Sequence, residues 1–302
     1  MSEETAETKV TAAALRARKD RGPRIAMLTA YDYPTALLED RAGIDAVLVG
    51  DSVGTNLLGY RTPQEVTMAD MLHHARAVRR GVTRAFLLVD LPFMSYQVSA
   101  ESALVNAGRL VQEGGAEGVK LEGGAAVVPQ IRAIAGAGIP VVGHLGFTPQ
   151  SQAGDLYVHS DRRGTVAKFQ GKGPQGATAL LEEARRLEDA GIFALILEMV
   201  TEEVARLVTE RVEVPVIGIG AGRYCDGQVL TVTDLIGLSD QALRLAKSFL
   251  SLPLREQFAT AFAAFGEEVR QGLFPAEENV RHMEPELLRR LEEALGTAPS
   301  DR

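Results

Sequence analysis

The chain has 302 residues, 46% of them hydrophobic, and a formal net charge of −8. That acidic balance excludes broad electrostatic attraction to nucleic acid or an anionic membrane, so neither is expected as a partner. Cys225 is the only cysteine, and residues 1–23 hold no apolar core; with no apolar run near the roughly 20 residues of a membrane span, this points to a cytoplasmic protein without an intramolecular disulfide.

After an N-terminal extension (1–22), short apolar runs alternate with segments of helical period. The first run is IAMLTA (25–30); the second, DAVLVGD (45–51), turns on Gly50 and stops on Asp51. Thr67–Asp70 has the capping-box pattern, and Met68, Met71, Leu72, Ala75 and Val78 form the apolar stripe of the helix that follows. His73 and His74 fall on its flank and read as surface. AFLLVD (85–90) ends on Asp90, and a helix begins near Ser99 with Ala103, Ala107 and Leu110 facing inward. GVKLEG (118–123) carries Lys120 and Glu122, and IPVVGHLG (139–146) brings His144 to a strand end.

Residues 150–176 are polar, glycine-rich and without period, the composition of a lid or a binding element; the role of His159 within them is open. A helix over 177–190 stops at Gly191, and FALILE (193–198) ends on Glu198. VPVIGIGAG (214–222) is the seventh run, its glycines a weak signal for a phosphate cradle, and QVLTVTDLIG (228–237) is the eighth. Further on, Leu254, Phe258, Phe262, Phe265 and Val269 repeat at helical spacing, suited to packing under the barrel or against another subunit. A charged helix or frayed tail follows from Pro285, with His282 read as surface. Eight continuous apolar runs separated by helices predict a (β/α)8 TIM barrel, in one domain over 1–302 with C-terminal helices over 254–302.

In such a barrel the C-terminal strand ends converge on one mouth, where active sites sit. Asp51, Asp90, Glu122 and Glu198 then end strands 2, 3, 4 and 6 and share a small volume, where they cannot all stay ionised without a cation. Oxygen ligands with no cysteine cluster and only scattered histidines suit Mg²⁺. Lys120 lies two residues before Glu122 on the same strand face; it either binds a substrate carboxylate or serves as a Schiff-base lysine. His144 stands at the same rim.

The blocks TAYDYP (29–34), VGDSVG (49–54), VTMADMLHHARAV (66–78), VDLPFMSY (89–96), VKLEGG (119–124), GHLGFTPQ (143–150), ALILEMV (194–200) and IGIGAGRYCDGQVL (217–230) closely resemble the ketopantoate hydroxymethyltransferase family. The resemblance implies a barrel of the phosphoenolpyruvate/pyruvate type and transfer of the one-carbon unit of 5,10-methylenetetrahydrofolate to 3-methyl-2-oxobutanoate, giving 2-dehydropantoate in pantothenate biosynthesis. It also implies Mg²⁺ and a homodecamer of two pentamers. By motif, Asp51, Asp90 and Glu122 correspond to the metal-site acids. Asp51, Ser52, Asp90 and Lys120 correspond to the substrate-binding set, and Glu198 to the proton acceptor, expected here in a dry pocket. His144 is a candidate folate or rim contact.

Overall fold

Each apolar run forms a parallel strand: β1 (Ile25–Thr29), β2 (Ala46–Val49), β3 (Phe86–Asp90), β4 (Gly118–Glu122), β5 (Val141–Gly146), β6 (Ala194–Glu198), β7 (Val216–Ile219) and β8 (Gly227–Leu230). They pair in sequence order and close, β8 returning to β1, into the expected barrel. The structure, a computed structural model, describes residues 8–19, 21–151, 169–239 and 246–296; His159 and the rest of 152–168 lie outside the described residues, as do parts of the expected N-terminal extension and tail.

Strands β2 to β7 are buried on two faces, which explains why they read as continuous apolar runs. Within each strand the side chains alternate. Ala46, Leu48, Phe86, Leu88, Val142, Ala194 and Ile196 fill one apolar cluster, with Val10 and Leu15 of the N-terminal segment. Val47, Val49, Leu87, Val89, Val119, Leu121, Val141, Leu195 and Leu197 join the other cluster, together with helix residues. Asp90, Lys120, Glu122, His144 and Glu198 share the parity of the first set, so the sheet itself turns them into the barrel.

Helices α1 (Ala12–Arg16), α2 (Tyr33–Arg41), α3 (Met68–Gly81), α4 (Ala100–Gln112), α5 (Val128–Gly136), α6 (Pro174–Ala190), α7 (Glu202–Thr209) and α8 (Val232–Leu235) accompany the strands. In α3 the expected capping box is formed: Thr67 Oγ1 accepts from the Asp70 N–H, and Asp70 Oδ2 accepts from the Thr67 N–H at 2.9 Å. Helix α6 starts three residues earlier than its periodicity suggests, at Pro174, and stops on Gly191 at φ 107°. The eighth run is strand only to Leu230; Thr231 then leads into the single turn of α8. His74 corrects the surface reading: it is buried, with Nδ1 2.6 Å from the Tyr31 carbonyl. The helix flank it occupies packs on the chain just after β1, a neighbour that periodicity alone does not reveal.

The chain divides into two compact units, Met1–Phe249, which contains the barrel, and Leu250–Arg302. The second unit holds α9 (Leu254–Gln271) and α10 (Pro285–Leu295). Along α9, Phe258, Phe262, Phe265 and Val269 are exposed. No helix among the described residues is long and apolar enough to cross a membrane.

Candidate active site

Four of the strand-end residues lie side by side because the register makes them neighbours. Asp90 of β3 is level with Lys120 of β4, and Glu122 of β4 with His144 of β5. Glu198 ends β6 opposite Gly146. Across these pairs, Lys120 Nζ stands 3.0 Å from Asp90 Oδ1. His144 bridges two acids, Nδ1 3.4 Å from Glu122 Oε2 and Nε2 3.2 Å from Glu198 Oε2. Asp51 does not end β2 but lies two residues beyond it, in the turn after Gly50. Its main-chain N–H donates to Asp90 Oδ2 at 3.1 Å. Gly50 permits this close turn, since a Cβ there would stand 2.8 Å from Ser52 Oγ. Ser52 Oγ in turn lies 2.9 Å from the Tyr31 hydroxyl.

Three placements differ from the sequence expectations, the first being Asp51, which lies beyond β2 and does not end it. His144, expected at the rim, is 3% exposed and sits within the acid row, because inward parity on β5 points it into the barrel. Glu198 was expected in a dry pocket, yet its side chain is 24% exposed; being at the strand's last residue, it faces the open mouth. Sequence reasoning missed Gln150, Tyr31 and Tyr96. Gln150 donates to Asp51 Oδ2 through Nε2 and to Glu122 Oε1 through its main-chain N–H. Its one signal in the sequence was its place after Pro149 at the end of the GHLGFTPQ block.

Burial and charge crowding together govern the electrostatics. Burial, then the neighbouring Asp90, push the Asp51 carboxyl up to about 7. Asp90 is raised by burial, against the pull of Lys120. For Lys120, burial favours the neutral amine, but Asp90, Asp51 and Glu122 outweigh it and raise its pKa. A lysine held charged in this way binds an anion well and is a poor Schiff-base nucleophile. Burial and Lys120 disfavour the His144 cation, yet the adjacent Glu122 and Glu198 carboxylates prevail and raise it to about 9.

Among the described residues no group of three or more His, Cys, Asp or Glu side chains is already set to hold a metal ion. The carboxylate oxygens here are turned to Lys120, Gln150 and main-chain amides. The donor set nevertheless fits a hard divalent cation: Asp51, Asp90 and Glu122 offer only oxygen, and three buried acids this close together are the kind of cluster a cation neutralises. Beyond Glu198, Gly220 and Gly222 of the GIGAG block help line a cavity of about 380 Å³ with Phe169, Val200, Glu202 and Gln228.

The sequence profile of ketopantoate hydroxymethyltransferase matches residues 9–277. A 3-methyl-2-oxobutanoate hydroxymethyltransferase of Moorella thermoacetica is 49% identical, over 90% of this chain and 97% of its own. One from Clostridium novyi is 46% identical, over 94% and 99%. Among solved structures, phosphoenolpyruvate phosphomutase from Streptomyces platensis subsp. rosaceus superposes with a TM-score of 0.57 at 16% identity, covering 95% of each chain. At that identity the likeness speaks for a shared barrel fold.

Proposed function

The chain belongs to the ketopantoate hydroxymethyltransferase family, and from that premise we propose that it transfers the one-carbon unit of 5,10-methylenetetrahydrofolate to 3-methyl-2-oxobutanoate. The product is 2-dehydropantoate, an intermediate of pantothenate biosynthesis, made in the cytoplasm by a homodecamer of two pentamers. Asp51, Asp90 and Glu122 hold Mg²⁺ in this reading. That ion would withdraw charge from the substrate's 2-oxo group and so stabilise the negative charge that develops there when C3 loses its proton.

The remaining work falls to the chain's own groups. Lys120, kept charged by its acid neighbours, and the Ser52 hydroxyl orient the substrate carboxylate, which is the positioning part of catalysis. Glu198 takes the C3 proton. Its exposure at the mouth gives it access to substrate, and His144 Nε2, 3.2 Å from its Oε2, helps to orient the carboxylate. The substrate carbon then bonds to the folate methylene carbon as that carbon's two C–N bonds break; water supplies its hydroxyl, and the remaining water proton and the one taken by Glu198 go to the two freed nitrogens as tetrahydrofolate leaves. His144, buried between two acids, is assigned to this acid row and not to folate.

One observation carries the reading: the pair Lys120–Asp90 and the set Glu122–His144–Glu198 on adjacent strand ends at a barrel mouth, which bring an anion-binding cation, a carboxylate cluster and a solvent-facing base together. Proton NMR of 3-methyl-2-oxobutanoate in D₂O tests it. The C3–H signal should disappear with protein and Mg²⁺, and persist when Mg²⁺ is omitted or Glu198→Gln is used. Added methylenetetrahydrofolate should then yield ketopantoate. Exchange that survives in Glu198→Gln moves the base elsewhere; no exchange with the intact protein and Mg²⁺ overturns the substrate.

A further inference from the structure

Gln150 is 2% exposed, in the short turn Pro149–Ser151, and every polar group it carries is engaged. Its Nε2 donates to Asp51 Oδ2 at 2.7 Å and to the Leu91 carbonyl at 3.1 Å. Its Oε1 accepts from the Tyr96 hydroxyl at 2.8 Å and from Gln97 Nε2 at 3.3 Å. The main-chain N–H donates to Glu122 Oε1 at 2.6 Å, and the main-chain carbonyl accepts from Gln64 Nε2 at 3.0 Å. Because the Leu91 carbonyl can only accept, the amide nitrogen must be the end that faces Asp51. Gln150 thus holds one oxygen of each of two acids, Asp51 and Glu122.

We infer that Gln150 is a positioning residue for the cation site and sets which cation it prefers: with Asp51 Oδ2 held, that acid has one oxygen left to offer, while Glu122 is held at Oε1 by the Gln150 amide and faces His144 with Oε2. This rests on the reading of Asp51, Asp90 and Glu122 as cation ligands. Mg²⁺ is small, keeps near-octahedral geometry and is satisfied by single carboxylate oxygens and water. Ca²⁺ is larger, takes about six to eight oxygens and readily takes both from one carboxylate. An Asp51 restrained to one free oxygen therefore favours the smaller ion. Releasing Asp51 Oδ2 lets that acid turn, loosens the seat of the main-chain amide on Glu122, and erodes the preference. Partners that orient metal ligands from behind typically contribute about 10- to 100-fold in affinity.

Calorimetric titration of the chelator-stripped, full-length protein with Mg²⁺ and, separately, Ca²⁺ tests the inference, with thermal melts to confirm folding. The wild-type chain should bind Mg²⁺ more tightly than Ca²⁺. Gln150→Met should weaken Mg²⁺ binding about tenfold or more while Ca²⁺ affinity falls less, narrowing the ratio. Tyr96→Phe removes the hydroxyl that steadies the Gln150 amide and should move the ratio the same way by a smaller factor. An unchanged ratio in folded Gln150→Met, or equal weakening of both ions, overturns the inference. If Gln150→Met does not fold, the ratio in Tyr96→Phe decides, and an unchanged value there overturns it. A wild-type chain that binds neither ion defeats the cation-site reading before any variant is compared, and the inference with it.

Discussion

His144 shows how much one residue's position determines. Placed at the rim it would be a candidate folate contact; placed 3.4 Å from Glu122 and 3.2 Å from Glu198, it joins the acid cluster to the base and keeps a positive charge between them. Glu39 is the opposite case, a buried acid with no such partner. Neither of its carboxylate oxygens has a hydrogen-bond partner, and burial, then Asp32, push it from 4.5 up to about 8. The sign follows from comparing the two states. Below about 4.5 the group is protonated folded and unfolded alike, and costs nothing that depends on pH. Between there and about 8 only the unfolded chain has lost the proton, so stability falls as pH rises; above 8 the cost is complete. Glu39→Met should therefore melt higher than wild type, with a gain on the order of 5 °C at pH 8.5 and a smaller one at pH 5.5. Thermal melts at the two pH values check this, and a gain independent of pH would refute it.

Among elements, the junction of β5 and β6 joins fold to chemistry most directly. Gly146 has φ +97°, and a Cβ there would stand 2.2 Å from the Glu198 carbonyl oxygen and 2.8 Å from Val200 Cγ2. Gly146→Ala should therefore push β5 away from β6 at the proposed base, costing about 2 kcal/mol or more and slowing C3–H exchange at least tenfold. Gly108, inside α4, has nothing within 4 Å of an added Cβ; Gly108→Ala should be neutral or stabilising by up to about 1 kcal/mol with exchange unchanged. Denaturant melts and the NMR assay distinguish the two, and equal effects would show that the junction has no special role. This contrast also marks what a sequence can reveal. Apolar runs, the Thr67 cap and the Gly191 stop depend on near neighbours, so strands, helices and the inward parity of Asp90, Glu122 and Glu198 were legible. The meeting of His144 with both acids depends on register between strands, the burial of His74 on a carbonyl far along the chain, and the grip of Gln150 on a turn. None of these has a local signature.

Across the whole molecule, the two units each leave apolar surface in water. In the barrel unit α8 spans only four residues, and on β1 and β8 Ala26 and Gln228 are exposed. Beside them a cavity of about 440 Å³ is lined by Leu28, Ile44, Leu230, Leu235 and Phe249 among others. In the second unit no residue of α9 or α10 is buried, and Phe262 is 69% exposed on the aromatic stripe. Contiguous apolar surface of this kind usually marks a contact with another chain, which suits an assembly such as the proposed homodecamer without setting its number of copies. Light scattering on the purified protein should give a mass of about 320 kDa, ten copies of a 32.4 kDa chain. Burying a phenylalanine contributes about 1.5–3 kcal/mol, and a repeated contact multiplies its loss around a symmetric ring. Phe262→Glu should accordingly lower the mass at micromolar concentration while the circular dichroism of the barrel is retained. A wild-type mass near that of one chain would remove the decamer from the proposal, whereas a decamer indifferent to Phe262→Glu would place the assembly contacts away from the α9 stripe.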